Sequence, residues 1–222
     1  MNSVLAASDW FRIIPSRYPT VSIFDEVTDP SDLETVLLLE AATNPRILDE
    51  AGELPLVRDS ERISGPGTTP IMAAFTHTRP SRFSDGSFGV YYAGHDLPTA
   101  IAETAYHRSI FLRDAGLPNE RLDMRLYRAS VSGEYDDVRR RAASDPVYRA
   151  NSYQASQTYG IKLYAADKVD GIVYRSVRRP AGECVAVFRP RLVRNCRVSG
   201  HLEYRFEDYR LVAAMDISAR RP

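Results

Sequence analysis

Five residues carry the chemistry that this chain advertises. Arg82, Tyr92 and Glu103 fall within one stretch, "RFSDGSFGVYYAGHDLPTAIAETAYHR" (82–108), which runs from a lone arginine through a turn and a tyrosine-rich strand into a helix. Arginine presents a planar fork of donors suited to phosphate. Glu103 has Thr99 and Ala100 one helical turn before it, and Tyr106 and His107 one turn after it. The small neighbours Thr99, Ala100 and Ala102 leave room for a ligand beside the carboxylate. Two residues from elsewhere join the group. Ser176 follows Ile172 and Tyr174 on one face of an apolar strand, where a hydroxyl needs a partner. Arg12 sits between apolar residues of a first strand, where a guanidinium needs anionic company. Each has a plain structural reading as well: Glu103 facing solvent, Tyr92 alternating into the core with Phe88 and Val90, and Arg82 on the surface. Together, two arginines, a carboxylate, a tyrosine and a serine suit a nucleotide that has a pyrophosphate and a ribose.

The elements that must position these groups follow from pattern. "DWFRIIP" (9–15) reads as a strand with Trp10, Arg12 and Ile14 on one face and Phe11 and Ile13 on the other. "DPSDLETVLLLEAATNP" reads as a helix, with a Ser31/Glu34 capping box and Pro45 beyond its end. Residues 50–70 read as a loop, a surface excursion rather than a domain boundary, because the first strand finds sheet partners only later. After the Asp85-Gly86 turn come a strand, "FGVYYAG", and a helix over 96–116 with Pro98 near its start and Gly116 past its end. "RLDMRLYRASV" alternates as a strand, and 134–150 reads as a solvated helix or loop. "SYQASQTYGIKLYAAD" is a second core-side helix. "GIVYRSV" and "ECVAVFRP" are strands joined by the basic turn "RRPAG", and "HLEYRFEDYRLV" is a closing hairpin. Helices mixed with antiparallel-looking strands predict an α+β fold.

Composition narrows the function classes. The 222 residues support one substantial core, and 44% apolar with 26% charged residues is ordinary for a globular protein. Basic and acidic residues balance at 29 each, so a general nucleic-acid binder is disfavoured. Lys162 and Lys168 are the only lysines, an arginine bias that a GC-rich genome also produces. There is no long apolar run and no basic-then-apolar start, so neither a membrane span nor a secretory signal is expected, and the cytoplasm is the expected compartment. Cys184 and Cys196 fit no metal spacing; free thiols are favoured over a disulfide. The histidines at 77, 95, 107 and 201 form no ligand pair. Glycine-rich dinucleotide and P-loop fingerprints are missing, as is a nucleophile elbow. No metal is expected.

The motifs "SRFSDGSFGVYYAGHDLPTAIAETAYHR" and "DGIVYRSVRRPAGECVAVFRP", in this order, resemble the RES-domain proteins, named for an arginine, a glutamate and a serine. "TNPR" and "SGPGTTPIMAAFTH" resemble the longer RES subgroup, with an N-terminal elaboration around 31–80 on a single RES domain spanning 1–222. The resemblance implies an ADP-ribosyltransferase-like fold and NAD as substrate. It implies a toxin of a bacterial toxin–antitoxin pair, held in check by an Xre-like antitoxin that covers the site. Arg82, Glu103 and Ser176 match the three name-giving residues, Tyr92 matches the strand tyrosine, and Arg12 resembles a second, N-terminal arginine. By the same resemblance, Arg12 and Arg82 hold the pyrophosphate, Glu103 binds a ribose hydroxyl near the developing cation, Tyr92 packs on nicotinamide and Ser176 positions that end. The chain departs from some members at Ile13, where they have tyrosine, and at Gln154, where they have serine, with Ser152 and Ser156 close by. "IAE" (101–103) stands where many protein-modifying ADP-ribosyltransferases have a Q/E-x-E pair, which favours water or phosphate as acceptor. Three classes follow: an NAD-consuming hydrolase or phosphorylase, a mono-ADP-ribosyltransferase with a protein acceptor, and a non-catalytic or nuclease-like inhibitor. Arg12 and Arg82, joined by Arg178 or Arg179 of the basic turn, are expected to face the antitoxin.

Overall fold

The computed structural model describes residues 2–15, 24, 25, 27, 29–41 and 51–220. Seven strands form one mixed, largely antiparallel sheet: β1 (Asn2–Pro15), β2 (Tyr91–Gly94), β3 (Glu120–Asp137), β4 (Gly171–Arg175), β5 (Glu183–Val187), β6 (Val193–Glu207) and β7 (Arg210–Asp216). The order is β1-β2-β5-β4-β3-β6-β7, and a further pairing of β1 with β3 closes the first five strands into a ring. Only β3 and β4 pair in parallel. Among the described residues four α-helices accompany the sheet: α1 (Leu33–Ala41), α2 (Thr69–Thr76), α3 (Leu97–Asp114) and α4 (Gln154–Ala166). The fold is α+β, as the pattern predicts.

Closure of the ring explains the near-continuous apolar runs of the short strands. Such a strand is buried on both faces. Val173, Val185, Val187, Tyr91 and Trp10 point into one cluster that α2 helps to fill. Ile172, Tyr174, Ala186 and Phe188 point the other way, under Tyr159 and Leu163 of α4. Met124, Leu126 and Ile13 pack beneath Ala100 and Leu112 of α3. The two faces expected of β1 therefore serve two different clusters.

Several expectations are corrected. β1 begins at Asn2, because its first half pairs with the far end of β3 (Asn2 opposite Asp136), a long-range partner that local propensity does not announce. β2 is shorter than "FGVYYAG". A Cβ at Gly89 would overlap Phe75 of α2, so the backbone at Gly89 lies against that helix, while Phe88 and Val90 enter the cluster under α4. The Ser31/Glu34 capping box does not form. Asp29 caps a short 3-10 turn, accepting from the Ser31 amide at 2.9 Å and its hydroxyl at 2.8 Å, and α1 starts only at Leu33. Pro45 lies outside the described residues. The segment from 51 onward is no surface excursion: Ala51, Leu54 and Val57 enter the same cluster as Trp10. The segment 134–150 is only in part the solvated loop expected: Arg140 and 142–144 are exposed in turns. Its first residues finish β3, Val138, Val147 and Tyr148 are buried, and Arg139 pairs with Asp137 and Glu183 at 2.7 Å each. The capped helix over 97–114, the antiparallel β4–β5 pair and the β6–β7 hairpin stand as expected. Both cysteines are free and buried. No described helix is long and apolar enough to cross a membrane.

Candidate active site

A cleft of about 630 Å³ opens where β1, β2 and α3 meet the segment between α2 and β2. That volume lies in the range of small-molecule and cofactor sites. Arg12, Arg82, Tyr92 and Glu103 all line it. Residues far apart in sequence are brought together because β1 reaches β2 at Phe11 opposite Gly94, one residue from Arg12.

Arg82 is held by its loop. The neighbouring Phe83 is fully buried, with its ring edge-on to Tyr174 at 5.0 Å. The Phe83 amide donates to the Tyr92 hydroxyl at 3.0 Å, which also bonds Ser81 Oγ at 2.9 Å. Gln157 of α4 donates to the Ser81 carbonyl at 2.9 Å. Gly160 lets α4 approach this closely: a Cβ there would overlap the Phe83 carbonyl oxygen. Arg82 is only 6% exposed, yet among the described residues it hydrogen-bonds no carboxylate. Nη1 donates to the Val147 and Arg149 carbonyls at 3.1 and 3.3 Å, and the guanidinium lies 4.7 Å from the Tyr153 ring centroid. Nη2 is buried without a partner among the described residues. Arg12 repeats the pattern: Nη1 donates to the Tyr92 carbonyl at 3.2 Å, the guanidinium lies 4.7 Å from the Tyr91 ring centroid, and Nε is buried and unbonded. Buried cationic donors left unpaired by protein are what an anionic ligand satisfies.

Tyr92 presents its ring to the cleft while its hydroxyl serves the loop. Burial pushes that phenol up to about 12, so it stays protonated. Glu103 stands on α3, whose first turn is capped by Asp96 accepting from the Thr99 amide at 2.7 Å. The Thr99 hydrogen bonds, then the charge of Arg179, hold the Asp96 carboxyl below the usual range. Arg179 reaches Asp96 and Thr99 at 3.0 Å each and so ties the β4–β5 turn to the start of α3.

That tie sets the position of Ser176. The serine does not line the cleft; it stands behind Glu103. Its hydroxyl donates to Glu103 Oε1 at 2.5 Å and accepts from the Arg178 and Arg179 amides at 3.0 Å each. Those amides polarise the hydroxyl and strengthen its bond to the carboxylate. Cys184 Sγ lies 3.9 Å from the same oxygen. Burial and then the Glu103 charge raise the thiol's pKa, so it stays neutral. Arg178 stacks on Tyr106, 3.2 Å from the ring centroid, and donates to the Ala150 carbonyl at 2.6 Å. Arg178 and Arg179 thus fasten the turn rather than project from it.

His107 also lines the cleft and is exposed to solvent. Desolvation, followed by the cations of Arg178, Arg108 and Arg82, pushes it down to about 4. Because the ring is partly exposed, the three guanidiniums are the firmer cause. Ile13 lines the cleft, whereas Ser152, Gln154 and Ser156 do not. Tyr153, Tyr174, Cys184 and Gln157 were not singled out from sequence as site residues. Their signals there are those of ordinary aromatic, strand and helix positions. Among the described residues no group of three or more His, Cys, Asp or Glu is placed to hold a metal ion.

The chain is 28% identical over 193 residues, 85% of its own length and 79% of the other's, to a protein of Sinorhizobium fredii (strain NBRC 101917 / NGR234) named "Uncharacterized protein y4oC". The family model of the RES domain matches residues 60–207, which span every cleft group above except those of β1. This domain is associated with NAD-using toxins of toxin–antitoxin systems, and such toxins typically pair with an antitoxin. With an arginine and a glutamate lining one cleft, a serine bonded to that glutamate, and two thirds of its length matched, the chain belongs to the RES-domain family.

Proposed function

We propose that this protein cleaves the bond between nicotinamide and ribose in NAD and passes ADP-ribose to water or phosphate, depleting NAD as the toxin of a toxin–antitoxin pair. One observation carries the reading: a carboxylate oriented by Ser176 shares a cleft with two arginines whose buried donors have no carboxylate partner among the described residues. Loss of nicotinamide leaves an oxocarbenium-like ribose. Glu103 bonds a ribose hydroxyl and places negative charge beside that centre. Arg12 and Arg82 take the pyrophosphate through charge-assisted bonds. The Tyr92 ring packs against nicotinamide. Ser176 acts through Glu103 and is a positioning residue.

Glu103 is the only carboxylate among the described lining residues. That supports a small acceptor over a protein nucleophile needing a second base. The test is product analysis after incubating the purified chain with NAD. Free ADP-ribose marks hydrolysis and ADP-ribose-1″-phosphate marks phosphorolysis. A labelled protein in lysate, with little free product, would replace this reading by mono-ADP-ribosyl transfer. Intact NAD would sink it.

A further inference from the structure

We infer that Arg79 and Arg108 form a second anion subsite in the cleft, which takes a phosphate dianion beside the dinucleotide. The inference rests on the proposed NAD-cleaving function and names a further ligand of the same site.

The argument starts from charge. Arg12, Arg79, Arg82 and Arg108 line the cleft against the single carboxylate of Glu103, four positive groups against one among the described residues. Arginine keeps its charge under all working conditions. NAD brings two pyrophosphate negatives and one nicotinamide positive, so it offsets one of the three excess charges. Two remain, and a phosphate dianion offsets both. The position of the surplus is specific. Arg12 and Arg82 are tied to β2 and to the 147–149 backbone, on rings that fix them. Arg79 and Arg108 come from two other places, the segment after α2 and the second half of α3. Neither has a carboxylate partner among the described residues. The Arg108 guanidinium lies 5.4 Å from the Phe111 ring centroid, which supports the side chain without neutralising it. Burial, and after it the charge of Arg79, lowers the Arg108 pKa.

Two sources carry this chemistry. Inorganic phosphate would be the acceptor: a phosphate oxygen bonds the anomeric carbon, the carbon–nitrogen bond electrons leave with nicotinamide, and the ring loses its positive charge. The phosphoester formed releases its remaining proton to solvent. Alternatively, the dianion is a phosphomonoester on the dinucleotide itself, as in NADP.

The experiment measures NAD and NADP loss by the full chain in phosphate-free buffer and in graded inorganic phosphate, with chloride matching ionic strength. Wild type is compared with the double variant Arg79→Gln/Arg108→Gln, each rate being referred to the same variant without phosphate. Losing charged hydrogen bonds predicts at least about a tenfold rise in half-saturating phosphate, or about a tenfold loss of NADP preference over NAD. The first result identifies the acceptor, the second the ester; either supports the subsite. NAD consumption whose phosphate response and NADP-to-NAD ratio match between wild type and variant overturns it. If no dinucleotide is consumed, the proposed function fails. The subsite is then judged by thermal unfolding, where inorganic phosphate should stabilise wild type more than chloride does, and the double variant no more than chloride; equal stabilisation of both chains overturns it. Should the double variant not fold, Arg108→Lys keeps the charge without the fork, and a half-saturating phosphate and an NADP-to-NAD ratio that are both unchanged overturn the subsite.

Discussion

At the scale of single residues, the proposed function separates groups that would touch substrate from groups that would aim them. Glu103→Gln keeps shape and removes charge. Turnover should fall by about 100-fold or more, the scale of losing one electrostatic stabiliser, with the melting temperature little changed. A folded variant that consumes NAD at the parent rate refutes the role. Ser176→Ala removes a hydrogen bond to a charged group, worth about 1.5–3 kcal/mol, so kcat should fall roughly ten- to a hundredfold with little change in KM. A change confined to KM would instead put the serine in direct contact with substrate. Arg82→Lys retains charge but not the fork, in which Nη1 bonds two backbone carbonyls while Nη2 is left buried without a partner among the described residues. It should lower kcat/KM strongly, and full activity in this variant removes the argument for bidentate pyrophosphate binding. His107 makes a pH statement. Its pKa falls from 6.5 to about 4 on folding, so between these values the unfolded chain binds more protons than the folded one. Its contribution to stability is present above 6.5 and is lost as pH falls toward 4. Thermal melts over that window should slope less steeply for His107→Gln than for wild type; identical slopes contradict the shift.

At the scale of elements, the loop carrying Arg82 depends on α4. Gln157 bonds its backbone, and Gly160 allows the helix to lie against Phe83. Gly160→Ala forces a methyl into a filled space. It should cost about 1–3 kcal/mol, the usual range for overpacking, and raise KM for NAD because Arg82 moves with the loop. Calorimetry and steady-state kinetics read both effects. A variant with parental stability and KM shows that the loop holds its place without the helix. The α3 element is legible in sequence because its signals are local: Asp96 as cap, Pro98 in the first turn and Gly116 after the end. The first half of β1 is not, because its backbone bonds are made to residues more than a hundred positions away.

At the scale of the molecule, a cleft lined by four arginines attracts carboxylates as well as phosphates. An antitoxin tail entering it would compete with NAD. Titrating the complex with NAD should release the partner, and trimming the antitoxin's last residues should weaken neutralisation. Full neutralisation by the trimmed partner excludes direct occlusion by its terminus. Arg178 and Arg179 are committed to Tyr106, Ala150, Asp96 and Thr99, so Arg12 and Arg82 are the better expected contacts.

By itself the sequence determined the α+β class, the capped helix bearing Glu103, the β4–β5 pair before and after the basic turn, and the family to which its motifs belong. These rest on periodicity, capping chemistry and short spacings, which a chain carries locally. Tertiary structure alone decided that β1 closes a ring and so delivers Arg12 to Tyr92. It decided that 51–57 fills the core, and that Ser176 bonds Glu103 from outside the cleft lining. It also gathered Arg79 and Arg108 into the same cleft. Each of these depends on packing between distant segments, where burial and unpaired charge, not neighbouring residues, set what a side chain can do.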